Sequence, residues 1–111
     1  MVSNKKFKVM KFPNKQQLRQ AIMTMKAIDH RLRSRILISL DNKPKSVTEL
    51  YVELRIDQSV ASQHLGILRE LSIVNTERMG KHIIYTVNES KIATIHEILK
   101  KVTHVAVEQD I

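Results

Sequence analysis

Apolar side chains recur three or four residues apart in five stretches of the chain, and this spacing predicts five helices. Residues at such spacing lie on one face of a helix, so each stretch would bury one apolar stripe. Four of the stretches are preceded by a residue whose side chain can accept from the unpaired N–H groups of a first helical turn, namely Asn14, Ser46, Asp57 and Asn88. The predicted helices cover residues 15–28, 30–41, 47–55, 58–71 and 89–105.

The third and fourth predicted helices are separated only by Ile56 and Asp57, which leaves room for nothing but a tight corner. Ser46 and Glu49 have the spacing of a capping box, which supports a helix that begins at residue 47. We expect Asp57 to cap the helix that follows the corner. Two helices joined by a tight corner form a helix-turn-helix.

Two β-branched runs follow this unit, at residues 73–78 and 82–87. They flank Gly80, whose tolerance of positive φ suits a tight hairpin. Residues 42–45 are expected to be a loop. The sequence therefore predicts a mainly α fold with a small β-hairpin, namely a winged helix-turn-helix of about five helices and a two-stranded wing.

The predicted helix at 58–71 has two unlike faces. Val60, Leu65, Leu68 and Leu71 gather on one side at helical spacing. The other side is small and polar, so that another surface could approach it closely, and it comprises Gln58, Ser59, Ser62, Gln63 and Gly66. This pattern is typical of a recognition helix. The alternative is an ordinary amphipathic helix whose polar face meets only water.

Composition limits the chain to one domain, with 111 residues of which 42% are hydrophobic. We expect a basic flexible arm at residues 1–13, a single winged-helix domain at 14–106 and a tail at 107–111. The arm could follow DNA phosphates or simply be solvated. There is no cysteine and no stretch that resembles a signal peptide or a membrane span, so a cytoplasmic protein is expected.

The net charge of +8 lies entirely in the first part of the chain, because residues 1–45 carry twelve Lys and Arg against two acidic residues. Such a balance favours a polyanionic partner, and DNA, RNA and anionic membrane are the candidates. Only four aromatic residues are present, too few for the stacking platform of a single-strand binder. Duplex DNA is therefore the favoured partner.

Several motifs in this order resemble the ArsR/SmtB-type winged-helix repressors, and the resemblance spans roughly Leu18 to Val105. The matching segments are residues 28–37, 58–69, 74–78 and 80–85. In that family the polar face of the second helix of the helix-turn-helix enters the major groove. Position by position, the resemblance implies DNA contacts by Gln58, Ser59, Ser62, Gln63 and His64.

Three further groups of residues each have more than one interpretation. His64 could contact the groove or form a buried hydrogen bond beside Leu65. Arg78 and Lys81 flank the predicted wing tip, where flexible cations could reach phosphate or the minor groove. The arginines at 31, 33 and 35 could contact phosphate, be solvated, or form ion pairs within the protein.

The last predicted helix carries more apolar surface than one helix needs to close a core of this size. Similar chains pair their first and last helices across a two-fold axis, so the resemblance implies an isologous homodimer. The alternative is packing within one monomer. The interface residues expected on the two helices are Leu18, Ile22, Met25, Ile92, Ile95, Leu99 and Val102.

Metal sensing is the best-known activity of the family, and this chain departs from both of its sites. Where the thiolate site has cysteines, this chain has Ser46 and Thr48, although soft metal ions require thiolates. His96 and His104 are eight residues apart and project in different directions around the last helix. The second metal site, which uses Asp-x-His and two further histidines, corresponds here to Glu89, Lys91, Val102 and Val105. We expect neither a metal nor a cofactor.

No catalytic constellation can be assembled from the sequence, because the histidines lack His-Glu-x-x-His spacing and no serine has a nucleophile-elbow context. The sequence thus predicts a sequence-specific transcription regulator that binds double-stranded DNA, a dimeric repressor of an inverted-repeat operator. A small-molecule or protein effector stays open. The alternatives are a winged-helix protein-interaction module without DNA binding and a binder of structured RNA.

Overall fold

A computed structural model describes the backbone of residues 13–110 and the side chains of residues 13–102. Five helices and three strands follow one another along this part of the chain. They are α1 (Lys15–Ile28), α2 (Arg31–Asn42), β1 (Lys45–Ser46), α3 (Val47–Leu54), α4 (Gln58–Glu70), β2 (Val74–Met79), β3 (His82–Val87) and α5 (Glu89–Asp110). This order confirms the winged helix-turn-helix.

The first two helices begin at polar caps. Asn14 and Gln17 form a capping box at the start of α1, with hydrogen bonds of 2.7 and 3.1 Å. His30 caps α2, because its Nδ1 accepts from the backbone N–H groups of Leu32 and Arg33. The cap leaves His30 outside the helix, so α2 begins one residue later than predicted.

The helix-turn-helix corner is one residue longer than expected. Ser46 and Glu49 form the predicted capping box of α3. The helix then ends at Leu54, since Arg55 adopts a left-handed conformation with a φ of 57°. Asp57 occupies the cap position of α4, but its side chain makes no cap hydrogen bond there. That part of the prediction was wrong.

The end of α4 is closed by a Schellman motif, in which backbone N–H groups beyond the helix bond to its last carbonyls. Ile73 N–H donates to the Leu68 carbonyl and Ser72 N–H donates to the Arg69 carbonyl, both at 2.9 Å. Ser72 takes a positive φ of 60° to make this turn. The motif directs the chain from the recognition helix straight into the wing.

The wing has three strands rather than the predicted two, in the order β1-β3-β2. Strands β2 and β3 pair in antiparallel register from Val74 opposite Val87 to Met79 opposite His82. The turn between them contains Gly80, with a φ of 64°, as expected. The additional strand β1, which was predicted to be loop, pairs Lys45 with Tyr85 on β3 and so joins the start of α3 to the wing.

The hydrophobic core lies between α2, α3, α4 and the base of the wing. On α4 the buried residues are Ala61, Leu65 and Leu68, whereas Val60 and Leu71 are only half-buried. This core fixes which side of α4 faces outward. The other buried members of the main core cluster are Ala27, Ile36, Leu40, Leu50, Ile73 and Val74, and Ala21 and Ile95 are buried outside this cluster.

The last helix is tied to the end of α4 by Asn88. Its Oδ1 accepts from Lys91 N–H at 3.1 Å, and its Nδ2 donates to the Ser72 carbonyl at 2.8 Å. Helix α5 runs to Asp110, five residues beyond the end predicted for the last helix, and so includes residues 107–110 of the predicted tail. Residues 1–12, which contain the predicted arm, lie outside the described residues. None of the described helices is long and apolar enough to cross a membrane.

Candidate nucleic-acid interface

The outward face of α4 is the most distinctive polar surface of the fold. Gln58, Ser59, Ser62 and Gln63 are all exposed, and Ser59 and Gln63 lie opposite the buried residues Ala61, Leu65 and Leu68. Their hydroxyl and amide groups can donate and accept hydrogen bonds, and none of them carries a charge. The structure thus brings together four of the five residues that were expected on this helix to contact DNA.

Gly66 lies on the same face and has no packing role in the fold. A Cβ atom added at this position would meet no atom within 4 Å. Glycine inside a helix costs about 1 kcal/mol relative to alanine, so a residue with a side chain would make a more stable helix here. Because Gly66 has no side chain, the backbone of α4 is open to close approach by another molecule at this position.

The tip of the wing carries two cationic side chains, one on each side of the turn between β2 and β3. Arg78 and Lys81 are both exposed, on either side of Met79 and Gly80. The base of the wing is buried through Val74, so the tip extends from a fixed support. The structure therefore leaves both cations exposed to solvent at the tip, and a contact with DNA stays a prediction.

His64 differs from its neighbours on α4 because it turns toward the α1–α2 corner. Its Nδ1 accepts a hydrogen bond of 3.1 Å from Arg33 Nε, and its ring centroid lies 4.8 Å from that of His30. Burial lowers the pKa of His64, and the neighbouring His30 and Arg33 lower it further. Of the two readings of this residue, the structure has the intramolecular hydrogen bond.

Two arginines of α2 bond to backbone carbonyls, an outcome that the sequence did not indicate. Arg33 Nη1 donates to the Ala27 carbonyl and Arg35 Nη2 donates to the Leu54 carbonyl, both at 3.3 Å. The first of these bonds reaches the end of α1 and the second reaches the end of α3. These arginines therefore brace helix ends around the helix-turn-helix.

A buried lysine at the start of β1 was also missed. Lys45 is only 4% exposed, and its Nζ donates to the carbonyl and the hydroxyl of Ser39 on α2. The same ammonium forms a salt bridge of 2.9 Å with Glu53 on α3. Hydrogen bonds from Ser39 and from Lys45 lower the pKa of the Glu53 carboxyl. No periodicity marks this site, because its three residues come from three different elements.

The predicted dimer surface is divided between the inside and the outside of the protomer. On α1, Ile22 is 44% exposed and Met25 is 46% exposed, and Met23 beside them is also exposed. Leu18, Leu99 and Val102 are half-buried. Of the two remaining residues of the expected set, Ile95 is buried within the protomer and Ile92 is half-buried against its core. Both serve the core of their own chain.

The residues at the family's metal positions have other roles in the structure. Ser46 and Glu49 bond to each other's backbone N–H groups, and the bond from Ser46 N–H to the Glu49 carboxylate lowers the pKa of Glu49. His30 and His64, which lie elsewhere, each use Nδ1 to accept a hydrogen bond. The described part of the chain contains no group of three metal-ligating side chains. The side chains of His104 and Val105 lie outside it.

Comparison with known proteins places this chain beside bacterial transcription regulators. The sequence profile described as bacterial regulatory protein, arsR family, matches residues 30–76. The transcriptional activator HlyU of Vibrio cholerae is 33% identical over 82 residues, which are 74% of this chain and 76% of HlyU. The biofilm growth-associated repressor of Agrobacterium fabrum is 38% identical over 80 residues, covering 72% of this chain and 68% of the repressor.

Solved structures give the same picture of the fold. The structure of HlyU from V. cholerae superimposes with a TM-score of 0.65 at 32% identity, covering 80% of this chain and 97% of that one. An ArsR-like transcriptional regulator from Rhodococcus sp. RHA1 reaches a TM-score of 0.77 over 83% of this chain and 87% of its own. At 17% identity, that second likeness concerns the fold alone.

Proposed function

The chain belongs to the arsR family of bacterial transcription regulators, and we propose that it acts as a homodimer whose two α4 helices read an inverted-repeat operator in duplex DNA. The observation that carries this proposal is the outward face of α4. It is small, polar and uncharged at Gln58, Ser59, Ser62 and Gln63, and Gly66 leaves it open to close approach.

Base reading is assigned to the side chains that can pair with base edges. Gln63 carries an amide, which can bond to adenine through both its donor and its acceptor in the major groove. Ser59 and Ser62 can donate to or accept from either kind of base pair. A protein-interaction module would be expected to present an acidic or apolar face here, and that expectation does not match these residues.

Holding the duplex is assigned to the wing. Arg78 and Lys81 are exposed cations at its tip, and cations that bind phosphate add affinity without adding sequence preference. The net charge of +8 favours approach to a polyanion in the same way. Reading and holding are thus separated between α4 and the wing.

The proposal of a homodimer is based on apolar side chains of α1 that are exposed on the protomer surface. This helix buries Ala21, Thr24 and Ala27 against the protomer, and its larger residues Ile22 and Met25 remain about half exposed. A second copy would cover them in a two-fold contact with Leu18, Leu99 and Val102. Two copies would then place their α4 helices roughly 34 to 36 Å apart, one turn of DNA.

We propose repression as the direction of control, as in the biofilm growth-associated repressor of A. fabrum, rather than the activation named for HlyU. A dimer that occupies an operator can block transcription without a further domain. Control through the family's two metal sites is not part of the proposal, because Ser46, Thr48 and Lys91 replace ligands there. The proposed place of action is the cytoplasm, where the DNA would be.

Selection of bound duplexes from a random pool tests this function. Enrichment of an inverted repeat, with half-sites about one helical turn apart, is the expected result. Competition with duplex RNA of the same sequence should leave the DNA complex intact. If no sequence were enriched, or if RNA displaced the DNA, the structured-RNA binder or the interaction module would take precedence.

A further inference from the structure

The α1–α2 corner is connected to the recognition helix by a cluster of His30, Arg33 and His64, which we call the His–Arg cluster. Arg33 lies at its centre, where Nε donates to His64 on α4 and Nη1 donates to the Ala27 carbonyl at the end of α1. The ring of His30 lies against the ring of His64 at 4.8 Å, with the ring planes tilted by 45°. One side chain therefore spans from α1 to α4.

Both imidazoles of the cluster act as acceptors through Nδ1. His64 accepts from Arg33 at 3.1 Å, and His30 accepts from the backbone N–H groups that begin α2. A protonated imidazole carries hydrogen on both nitrogens and can only donate. Protonation of His64 would therefore replace an N–H···N hydrogen bond by two opposed donors and would add a positive charge beside the guanidinium of Arg33.

Among the described residues, no carboxylate bonds to His64, and Asp29 at the α1–α2 corner is not among the groups that shift its pKa. The charged and titratable groups that act on His64 from the α1–α2 corner are His30 and Arg33. On α3, Glu49 bonds to Ser46, and Glu53 bonds to Ser39 and Lys45. Neither these residues nor Glu77 and Arg78 of β2 form a hydrogen bond or salt bridge with His64 within the described residues.

We propose that Arg33 and His30 are positioning residues that hold α4 in its reading orientation through neutral His64, so that protonation of His64 weakens specific operator binding. The inference rests on the proposed DNA-reading function. Under this proposal His64 does not contact a base, although the residue lies on α4. Ser62 and Gln63 read the DNA, while the next residue along fixes the helix that carries them.

The direction of the pH effect separates this role from a direct contact. A histidine that touched phosphate would gain charge on acidification and strengthen binding, as any cation does. The His–Arg cluster predicts the opposite for operator DNA. A charge gained elsewhere on the protein surface would act on operator and scrambled duplexes alike. The informative quantity is therefore the ratio of operator affinity to scrambled-duplex affinity.

The first experiment measures this ratio from pH 7.5 down to about pH 4.5 at constant ionic strength, for the wild type and for His64→Gln, because the pKa of His64 is lowered and protonation needs more acid than for a free histidine. Glutamine can accept from Arg33 through its carbonyl oxygen and does not titrate. The wild-type ratio is expected to fall by about three- to tenfold toward the acid end of this range, since burial and the neighbouring His30 and Arg33 lower the pKa of His64 and delay its protonation. The ratio for His64→Gln is expected to stay level. A wild-type ratio that held or rose on acidification would overturn the proposal.

Arg33→Met and Arg31→Met form a charge-matched pair for the second arm. Arg31 is an exposed neighbour on the same helix, so its loss measures the effect of one fewer cation. Arg33→Met is expected to lower the ratio at pH 7.5 and to abolish its pH dependence, whereas Arg31→Met should lower both affinities alike. If Arg33→Met kept the wild-type ratio and pH profile, Arg33 would have no positioning role.

Amide hydrogen exchange, measured on the protein without DNA, tests the positioning role separately from DNA binding. Without Arg33, the amides of α4 are expected to exchange faster than in Arg31→Met, because the helix loses its connection to α1. If no operator exists but this difference is found, the DNA-reading function fails and the positioning contact stands. If the operator is bound and α4 exchanges equally in both variants, the positioning role alone is overturned.

Discussion

Lys45 Nζ lies 2.9 Å from Glu53 Oε1, and this salt bridge joins the strand before the helix-turn-helix to the first helix within it. The ammonium also bonds to the carbonyl of Ser39, so α2, β1 and α3 meet at one buried cation. The position of α3 sets the position of α4 through the three-residue corner. The salt bridge therefore supports the reading helix from a distance.

Replacing Lys45 by methionine should destabilise the fold by about 1 to 3 kcal/mol, because the Ser39 carbonyl and hydroxyl lose a buried donor. Lys43→Met is the matched control, since Lys43 is an exposed lysine two residues earlier. Urea unfolding of both variants measures the difference. Equal stability of the two variants would mean that the buried ammonium contributes nothing beyond its hydrophobic stem.

Gly66→Ala should move stability and DNA binding in opposite directions. Alanine is the better helix former by about 1 kcal/mol, and its Cβ meets nothing within the protomer, so the variant should unfold at a higher urea concentration. If the backbone of α4 approaches DNA closely at this point, the added methyl group should weaken operator binding. A more stable variant with unchanged operator affinity would place the DNA away from Gly66.

Much of this fold could be predicted because its information is local. Helical spacing gave the five helices, the Ser46–Glu49 spacing gave the start of α3, and Gly80 gave the wing turn. The missed parts depend on contacts between distant residues. Strand β1 has two residues and pairs with Tyr85, and Arg33 meets His64 across 31 positions of sequence.

The residues of the proposed dimer surface were also hard to predict from sequence spacing. An apolar stripe on a helix does not say which part of it faces the chain's own core, so Ile92 and Ile95 could not be separated from Leu99 by spacing alone. The structure resolves this, since Ile95 is buried and Ile22 on α1 is half exposed. The interface test therefore belongs on α1.

Ile22→Glu should convert the proposed homodimer to a folded monomer, because the side chain is half exposed in the protomer but would place an unpaired charge in the two-fold contact. Ile38→Glu is the control, on an α2 residue that is 71% exposed. Sedimentation velocity at micromolar concentration compares both with the wild type. A monomeric wild type, or a dimeric Ile22→Glu, would contradict the proposed interface.

Zinc, nickel, cadmium and arsenite should leave operator affinity unchanged. Ser46, Thr48 and Lys91 stand where the family's sites need ligands, and Ser46 is already bonded to Glu49. Fluorescence anisotropy with stoichiometric metal at constant ionic strength measures the effect. More than about a tenfold loss of affinity would point to a site elsewhere, with Glu89, His96 and His104 as the first candidates.

The division between reading and holding predicts different losses for Gln63→Ala and Lys81→Ala. Gln63→Ala should cost about 1 to 3 kcal/mol on the operator and little on random duplex, with relaxed preference at one base pair per half-site. Lys81→Ala should weaken both duplexes. If each subunit loses one phosphate contact, it should also make the slope of log K against log salt shallower by about 2.

Paired salt titrations of these two variants on operator and scrambled duplexes test the central claim most directly. The account predicts that Gln63→Ala lowers the ratio of the two affinities and that Lys81→Ala lowers both affinities while keeping the ratio. Equal losses on both duplexes for Gln63→Ala, with base preference intact, would contradict the claim that α4 reads the operator. Unchanged binding of both duplexes by both variants would also contradict that claim.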